Sequence, residues 1–89
     1  MPISVLDVHA DLVSIPSLSH HEAAAADYVE KWARDHGLEA GRHDNNVWVS
    51  LGDGDDLLLF CSHLDVVPPS ETHPYDPFTP TRVEDRIYG

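Results

Sequence analysis

The stretch Leu57-Leu58-Leu59-Phe60-Cys61-Ser62-His63-Leu64-Asp65-Val66-Val67-Pro68-Pro69 decides how the rest of the chain is read. Five apolar residues, 57–61, run without a break between an Asp-rich and a Pro-rich segment. An apolar run that short, bounded by turn-forming residues, predicts a strand buried on both faces. His63 and Asp65 follow it, and Pro68-Pro69 stop it. In an extended chain, residues two apart share a face and lie about 6.5–7 Å apart along the strand. An imidazole and a carboxylate are therefore expected to emerge together at the C-terminal end of a buried strand. In open α/β sheets that is the end at which ligands usually bind.

The spacing leaves two readings open. A metal-bound histidine usually donates its other ring N–H to a carboxylate or a carbonyl, which fixes the tautomer and raises its basicity. His63 and Asp65 are the right groups for that arrangement. The other reading is a histidine and an aspartate hydrogen-bonded to loop backbone at a strand end. A nucleophile mechanism fits less well. Ser62 does not sit in a G-x-S-x-G elbow, and adjacent strand residues point to opposite faces. Cys61 shares the face of His63, but no cation near it in sequence would lower its pKa. It reads as a buried structural thiol. A catalytic zinc needs three protein ligands plus water, and this stretch offers one well-placed ligand.

Upstream, Val5, Val8, Leu12 and Ile15 follow helical spacing, with Ser4 as a cap, and Pro16 disfavours continuation. They predict a helix over 5–15. Ser19-His20-His21-Glu22 matches the capping box S-x-x-E. Ala25, Tyr28, Val29, Trp32 and Ala33 then form one apolar stripe, with Gly37 placed as the C′ residue. They predict a second helix over 20–36. His20 and His21 are adjacent, so on a helix they diverge by about 100° and read as surface residues of its first turn rather than a metal pair. From Leu38 the period changes. Residues 38–43 and 47–51 predict a β-hairpin turned by Asp44-Asn45-Asn46. The aspartates of Gly52-Asp53-Gly54-Asp55-Asp56 lack the spacing of a calcium loop and read as a solvated turn.

Downstream, Pro68, Pro69, Pro74, Pro77 and Pro80 exclude a sheet interior. That segment predicts a rigid surface loop carrying Tyr75, Phe78 and a solvated His73. Polar–apolar alternation returns over 82–89. The chain has 89 residues and a formal charge of −11, with 16 acidic residues against 5 basic ones. One small domain is expected, and an acidic balance of this size argues against nucleic-acid binding. No apolar run reaches the length of a transmembrane helix. Met1-Pro2-Ile3-Ser4-Val5 lacks the basic-then-apolar signature of a secretory leader, which points to the cytoplasm.

Four features together resemble the N-terminal segment of the zinc-dependent amidohydrolases that include acetylornithine deacetylase, succinyl-diaminopimelate desuccinylase, aminoacylase and related carboxypeptidases. Ser14-Ile15-Pro16-Ser17-Leu18-Ser19 with His21-Glu22 resembles the family's opening segment. Asn45-Asn46-Val47 with Leu51-Gly52 resembles its hairpin. Residues 58–68 resemble its first metal motif, (S/G)-H-x-D-x-V-P. Asp76-Pro77-Phe78-Thr79-Pro80 with Asp85-Arg86-Ile87-Tyr88-Gly89 resembles the loop and strand leading to its second motif.

The resemblance implies an α/β fold: two N-terminal helices, a β-hairpin and a buried strand. These would be the opening part of a mixed-sheet, zinc-peptidase-like catalytic domain, with residues 1–89 as its N-terminal piece. It implies that His63 binds one of two zinc or cobalt ions and that Asp65 is the active-site aspartate. The implied reaction is hydrolysis of the amide of a small N-acyl amino acid, acetylornithine deacetylase-like, by a cytoplasmic homodimer that needs neither nucleic acid nor membrane. The family's bridging aspartate, its Glu-Glu pair and its final histidine are expected beyond Gly89, so these 89 residues alone should be inactive. The family's usual Trp in the Pro-rich loop is replaced near His73. The rival reading is a stand-alone acidic interaction module, or a non-catalytic remnant of that fold.

Overall fold

Helical spacing of apolar residues winds Val5–Val13 into α1 and Ala23–Asp35 into α2 in the computed structural model, which describes residues 4–89. Part of the leader reading rests on Met1, Pro2 and Ile3, which lie outside the described residues. Ser4 occupies the N-cap position of α1 in extended geometry, but its hydroxyl makes no cap bond. Helix α2 starts three residues later than the capping box implies. Glu22 reaches back to accept from the His20 backbone N–H at 2.8 Å, whereas the Ser19 hydroxyl is engaged elsewhere. His20 and His21 therefore lie in the turn before α2 rather than in its first turn, and both are exposed.

The far end of α2 follows its residues closely. Gly37 adopts φ +72°, a region that costs other residues because of their Cβ. Its N–H donates to the Arg34 carbonyl at 3.0 Å, and the Leu38 N–H donates to the Ala33 carbonyl at 2.9 Å. This pair of bonds is the Schellman closure that turns the chain out of a helix.

The turn delivers the chain into β1 (Glu39–His43) and β2 (Asn46–Ser50), which pair antiparallel with His43 opposite Asn46. Asp44 takes φ +53° in the two-residue connection. Gly41 faces Trp48 across the hairpin, and the indole lies where a Cβ at Gly41 would be. Helix α2 packs against both strands. The buried apolar residues are Ala25, Ala26 and Ala33, so this face is close-packed through small side chains. Arg42 fastens the same layer: its guanidinium donates to Asp27 and, at 3.3 Å, to Glu30 on α2. Its Nε donates to the Asp44 carbonyl at 2.6 Å. A second hairpin, β3 (Thr81–Val83) with β4 (Arg86–Tyr88), closes the described chain, turning at Glu84 with φ +56°.

The expected buried strand over 57–61 is not formed. Leu57 is 89% exposed and Phe60 87%, and Cys61 is exposed rather than buried. The reason is lateral. A strand buried on both faces needs backbone partners along its edges and a covering layer above and below. Among the described residues the two sheets are separate two-stranded hairpins, and neither pairs with 57–61. The radius of gyration is 14.9 Å, against about 12 Å for a compact domain of this length. The described residues thus form an α/β layer beside an uncovered apolar segment. No described helix is long and apolar enough to cross a membrane.

Candidate functional site

The site begins with a short alternating segment, Ser17-Leu18-Ser19, just after the Pro16 that ends the first helical region. It lies alongside Leu64-Asp65-Val66 as a parallel bridge between Leu18 and Val66. The Val66 N–H donates to the Ser17 carbonyl at 2.9 Å, and the Ser19 N–H donates to the Val66 carbonyl at 3.1 Å. Side chains add two more bonds. Ser17, only 4% exposed, donates its hydroxyl to the Leu64 carbonyl at 2.7 Å, and Ser19 donates to Asp65 Oδ2 at 2.6 Å. Period-2 alternation explains the division: Ser17 and Ser19 share a face, so both hydroxyls reach the neighbouring segment.

Asp65 is therefore held from one side by Ser19. From the other it meets His63, whose Nδ1 lies 3.0 Å from Asp65 Oδ1 and 2.9 Å from the Asp65 carbonyl oxygen. With the Nδ1–H shared between these two acceptors, the ring's Nε2 is left free to accept. The His63 side chain is 80% exposed, so the ring opens to solvent rather than into the interior. Donation by Ser19 holds the Asp65 carboxyl below its usual range; burial opposes it, and the neighbouring His63 adds a smaller lowering. Asp65 is accordingly an acceptor for both neighbours at neutral pH.

A cleft of about 710 Å³ adjoins this pair. It is lined by Asn46, Val47 and Trp48 of β2 and by Phe60, Ser62 and His63. A second cleft, of about 480 Å³ and mainly apolar, lies under the Pro-rich loop between Leu12, Ile15, Val67 and Phe78. His73 lines that second cleft and is not brought to His63. His20, His21 and the Asp53–Asp56 turn are exposed, and among the described residues no three His, Cys, Asp or Glu side chains converge as a metal site.

The structure thus brings together His63 and Asp65, as their spacing implied. It adds Ser17, which the sequence marked only as part of the family's opening segment, and Ser19, which it marked as a helix cap. The signal for them was the Ser-x-Ser alternation directly after a proline, which is an extended pattern rather than a helical one.

Along almost its whole length the chain is similar to curated proteins named succinyl-diaminopimelate desuccinylase, a match consistent with an N-terminal segment of that amidohydrolase family. Curated relatives named succinyl-diaminopimelate desuccinylase include one from a Nitratiruptor species, 31% identical over 98% of this chain. Another, from Stenotrophomonas maltophilia, is 33% identical over 97% of it. A third, from Gluconobacter oxydans, is 46% identical over 49% of this chain and 12% of its own length. The chain spans about a quarter of the length of the first two. No protein-family model matches the chain, and no solved structure does.

Proposed function

We propose that this chain is the opening part of a metal-dependent hydrolase that cleaves the amide bond of a small N-acyl amino acid, with His63 as a metal ligand through Nε2. One observation carries the reading: Nδ1 of an exposed histidine that lines an open cleft is tied to Asp65 at 3.0 Å, which leaves its other nitrogen without a partner in that contact. This is how a ligating imidazole is usually prepared, its tautomer fixed by a carboxylate behind it. The names of the curated relatives support an N-succinyl amino acid as substrate class. An N-acetyl amino acid, as for acetylornithine deacetylase, is the neighbouring choice by family resemblance.

His63 and Asp65 fit one corner of a metal site, and the described residues supply no complete one. His63 would hold the ion and Asp65 would support it. Zinc or cobalt, two ions in the whole protein, would polarise the scissile carbonyl and lower the pKa of water. Asp65 would fix the Nδ1–H tautomer and raise the basicity of Nε2, the atom His63 would offer to the ion. The family resemblance alone supports the finer points: a homodimer, a cytoplasmic location and inactivity of the 89 residues by themselves.

Cobalt titration of the 89-residue chain, followed by NMR, tests this reading. Weak binding is expected, with paramagnetic broadening centred on the His63 ring and lost in His63→Ala. Broadening centred on His20, His43 or His73 instead would overturn it. No turnover of N-succinyl or N-acetyl amino acids is expected. Turnover abolished by His63→Ala would show that the chain holds a full ligand set.

A further inference from the structure

We propose that Ser19 is a positioning residue for the site, its hydroxyl fixing the Asp65 carboxylate so that His63 presents a bare Nε2 to the cleft. The proposal rests on the reading of His63 as a ligand and deepens it. Two contacts carry it. Ser19 Oγ lies 2.6 Å from Asp65 Oδ2, and Asp65 Oδ1 lies 3.0 Å from His63 Nδ1. Each oxygen of the carboxylate thus has its own partner. A carboxylate with one partner can still swing about its terminal torsion, because that torsion is broad and roughly two-fold. Engaging both oxygens removes that freedom and sets the plane in which Oδ1 meets the ring.

The Ser19 hydroxyl is not needed to dock the segment. The parallel bridge is made by backbone, with a bond at the Ser19 N–H, and Ser17 supplies the buried side-chain bond to Leu64. What the Ser19 hydroxyl adds is orientation of Asp65. It is a charge-assisted donor to a carboxylate, shorter and stronger than a neutral pair. The Asp65 carbonyl also faces Nδ1 at 2.9 Å, but it holds the ring only while the 63–65 backbone keeps its course. The serine anchors the carboxylate from a different segment, 46 positions away.

The test is the tautomer of His63, read from the ring ¹⁵N shifts and long-range ¹H–¹⁵N correlations of the 89-residue chain without metal. Measurements at about pH 8.5 keep histidine rings neutral, well above their ordinary pKa of about 6.5. In the wild-type chain His63 should be the Nδ1–H form, while exposed His9 and His21 show the mixture of a free side chain. In Ser19→Ala the His63 signals should shift toward the Nε2–H form with His9 and His21 unmoved, and Ser19→Thr should restore them. If Ser19→Ala unfolds, as amide spectra would show, Ser19→Cys takes its place as a near-isosteric, far weaker donor.

A His63 tautomer unchanged in the folded Ala or Cys variant overturns the proposal, and so does a wild-type His63 in the Nε2–H form. Cobalt broadening checks the underlying reading separately. Broadening that persists at His63 beside an unmoved tautomer means that the serine role alone has failed. Absence of broadening at His63 in the wild-type chain removes the ligand reading, and the proposal with it.

Discussion

Ser17 Oγ donates to the carbonyl oxygen of Leu64 at 2.7 Å, joining two residues 47 positions apart. Ser17 is the buried polar residue among the described residues, and its bond holds the loop after α1 against the segment carrying His63 and Asp65. Removing the hydroxyl leaves the Leu64 carbonyl without that donor. Ser17→Ala should therefore lower unfolding stability by about 1–3 kcal/mol. Urea melts followed by circular dichroism measure this, and an unchanged midpoint would show that the bond contributes nothing.

The open run 57–61 makes the opposite kind of prediction. Leu58 is 78% exposed. Leu58→Ser should change stability by less than about 0.5 kcal/mol, as surface substitutions do. A buried leucine would cost about 2–5 kcal/mol on truncation. The same change should lower binding of an apolar dye such as ANS. A loss in the larger range would mean that the run is covered in solution.

Tyr28 on α2 donates its hydroxyl to Asp11 on α1 at 2.7 Å. Burial first, and then this bond and the negative charges of Asp11 and Asp7, push its pKa up from 10.0 to about 12. The shift favours the neutral phenol in the folded chain. The stability it brings is fully present below about pH 10 and is lost as pH rises from about 10 toward 12. Ultraviolet titration should show a late tyrosine ionisation toward pH 12, and Tyr28→Phe should delete that late step. A late step that persists in Tyr28→Phe, or no late step in the wild-type chain, would refute the contact.

Gly37 ends α2 at φ +72° with open space where a Cβ would sit. The cost of a side chain there is conformational rather than steric. Gly37→Ala should destabilise by about 1–2 kcal/mol, and Gly37→Asn by less, since Asn tolerates the left-handed region better. Thermal melts of the two variants separate these effects, and equal losses would point away from backbone strain.

Much of the layer was legible because its signals are local. The alanine-rich stripe, Gly37 and the Asp44-Asn45-Asn46 turn each act within a few residues; α2 ends where Gly37 implied, and the hairpin forms with Asn46 drawn from the turn into β2. Ser19 shows where local rules yield. The capping-box pattern placed its hydroxyl on α2, but a carboxylate 46 positions away takes that hydroxyl instead, in a charge-assisted bond stronger than a neutral cap. The run 57–61 shows the other limit. Its composition suits a central strand, yet whether a strand forms depends on neighbours that the run itself does not encode. The His63–Asp65 pairing survived that loss because it is made within three residues and needs no sheet.

Arg42 binds Asp27 and Glu30 on α2 and the Asp44 carbonyl at the hairpin turn. By contrast, no backbone hydrogen bond among the described residues involves residues 51–63. Amide protons should sort accordingly. Those of the helix and its hairpin would exchange with deuterium slowly and as one cooperative block, while the connecting length that ends at His63 would exchange almost as fast as a free peptide. The ring that faces the cleft is thus tethered on one flank to the slow block's neighbour, Ser17 to Ser19, and on the other to a slack leash.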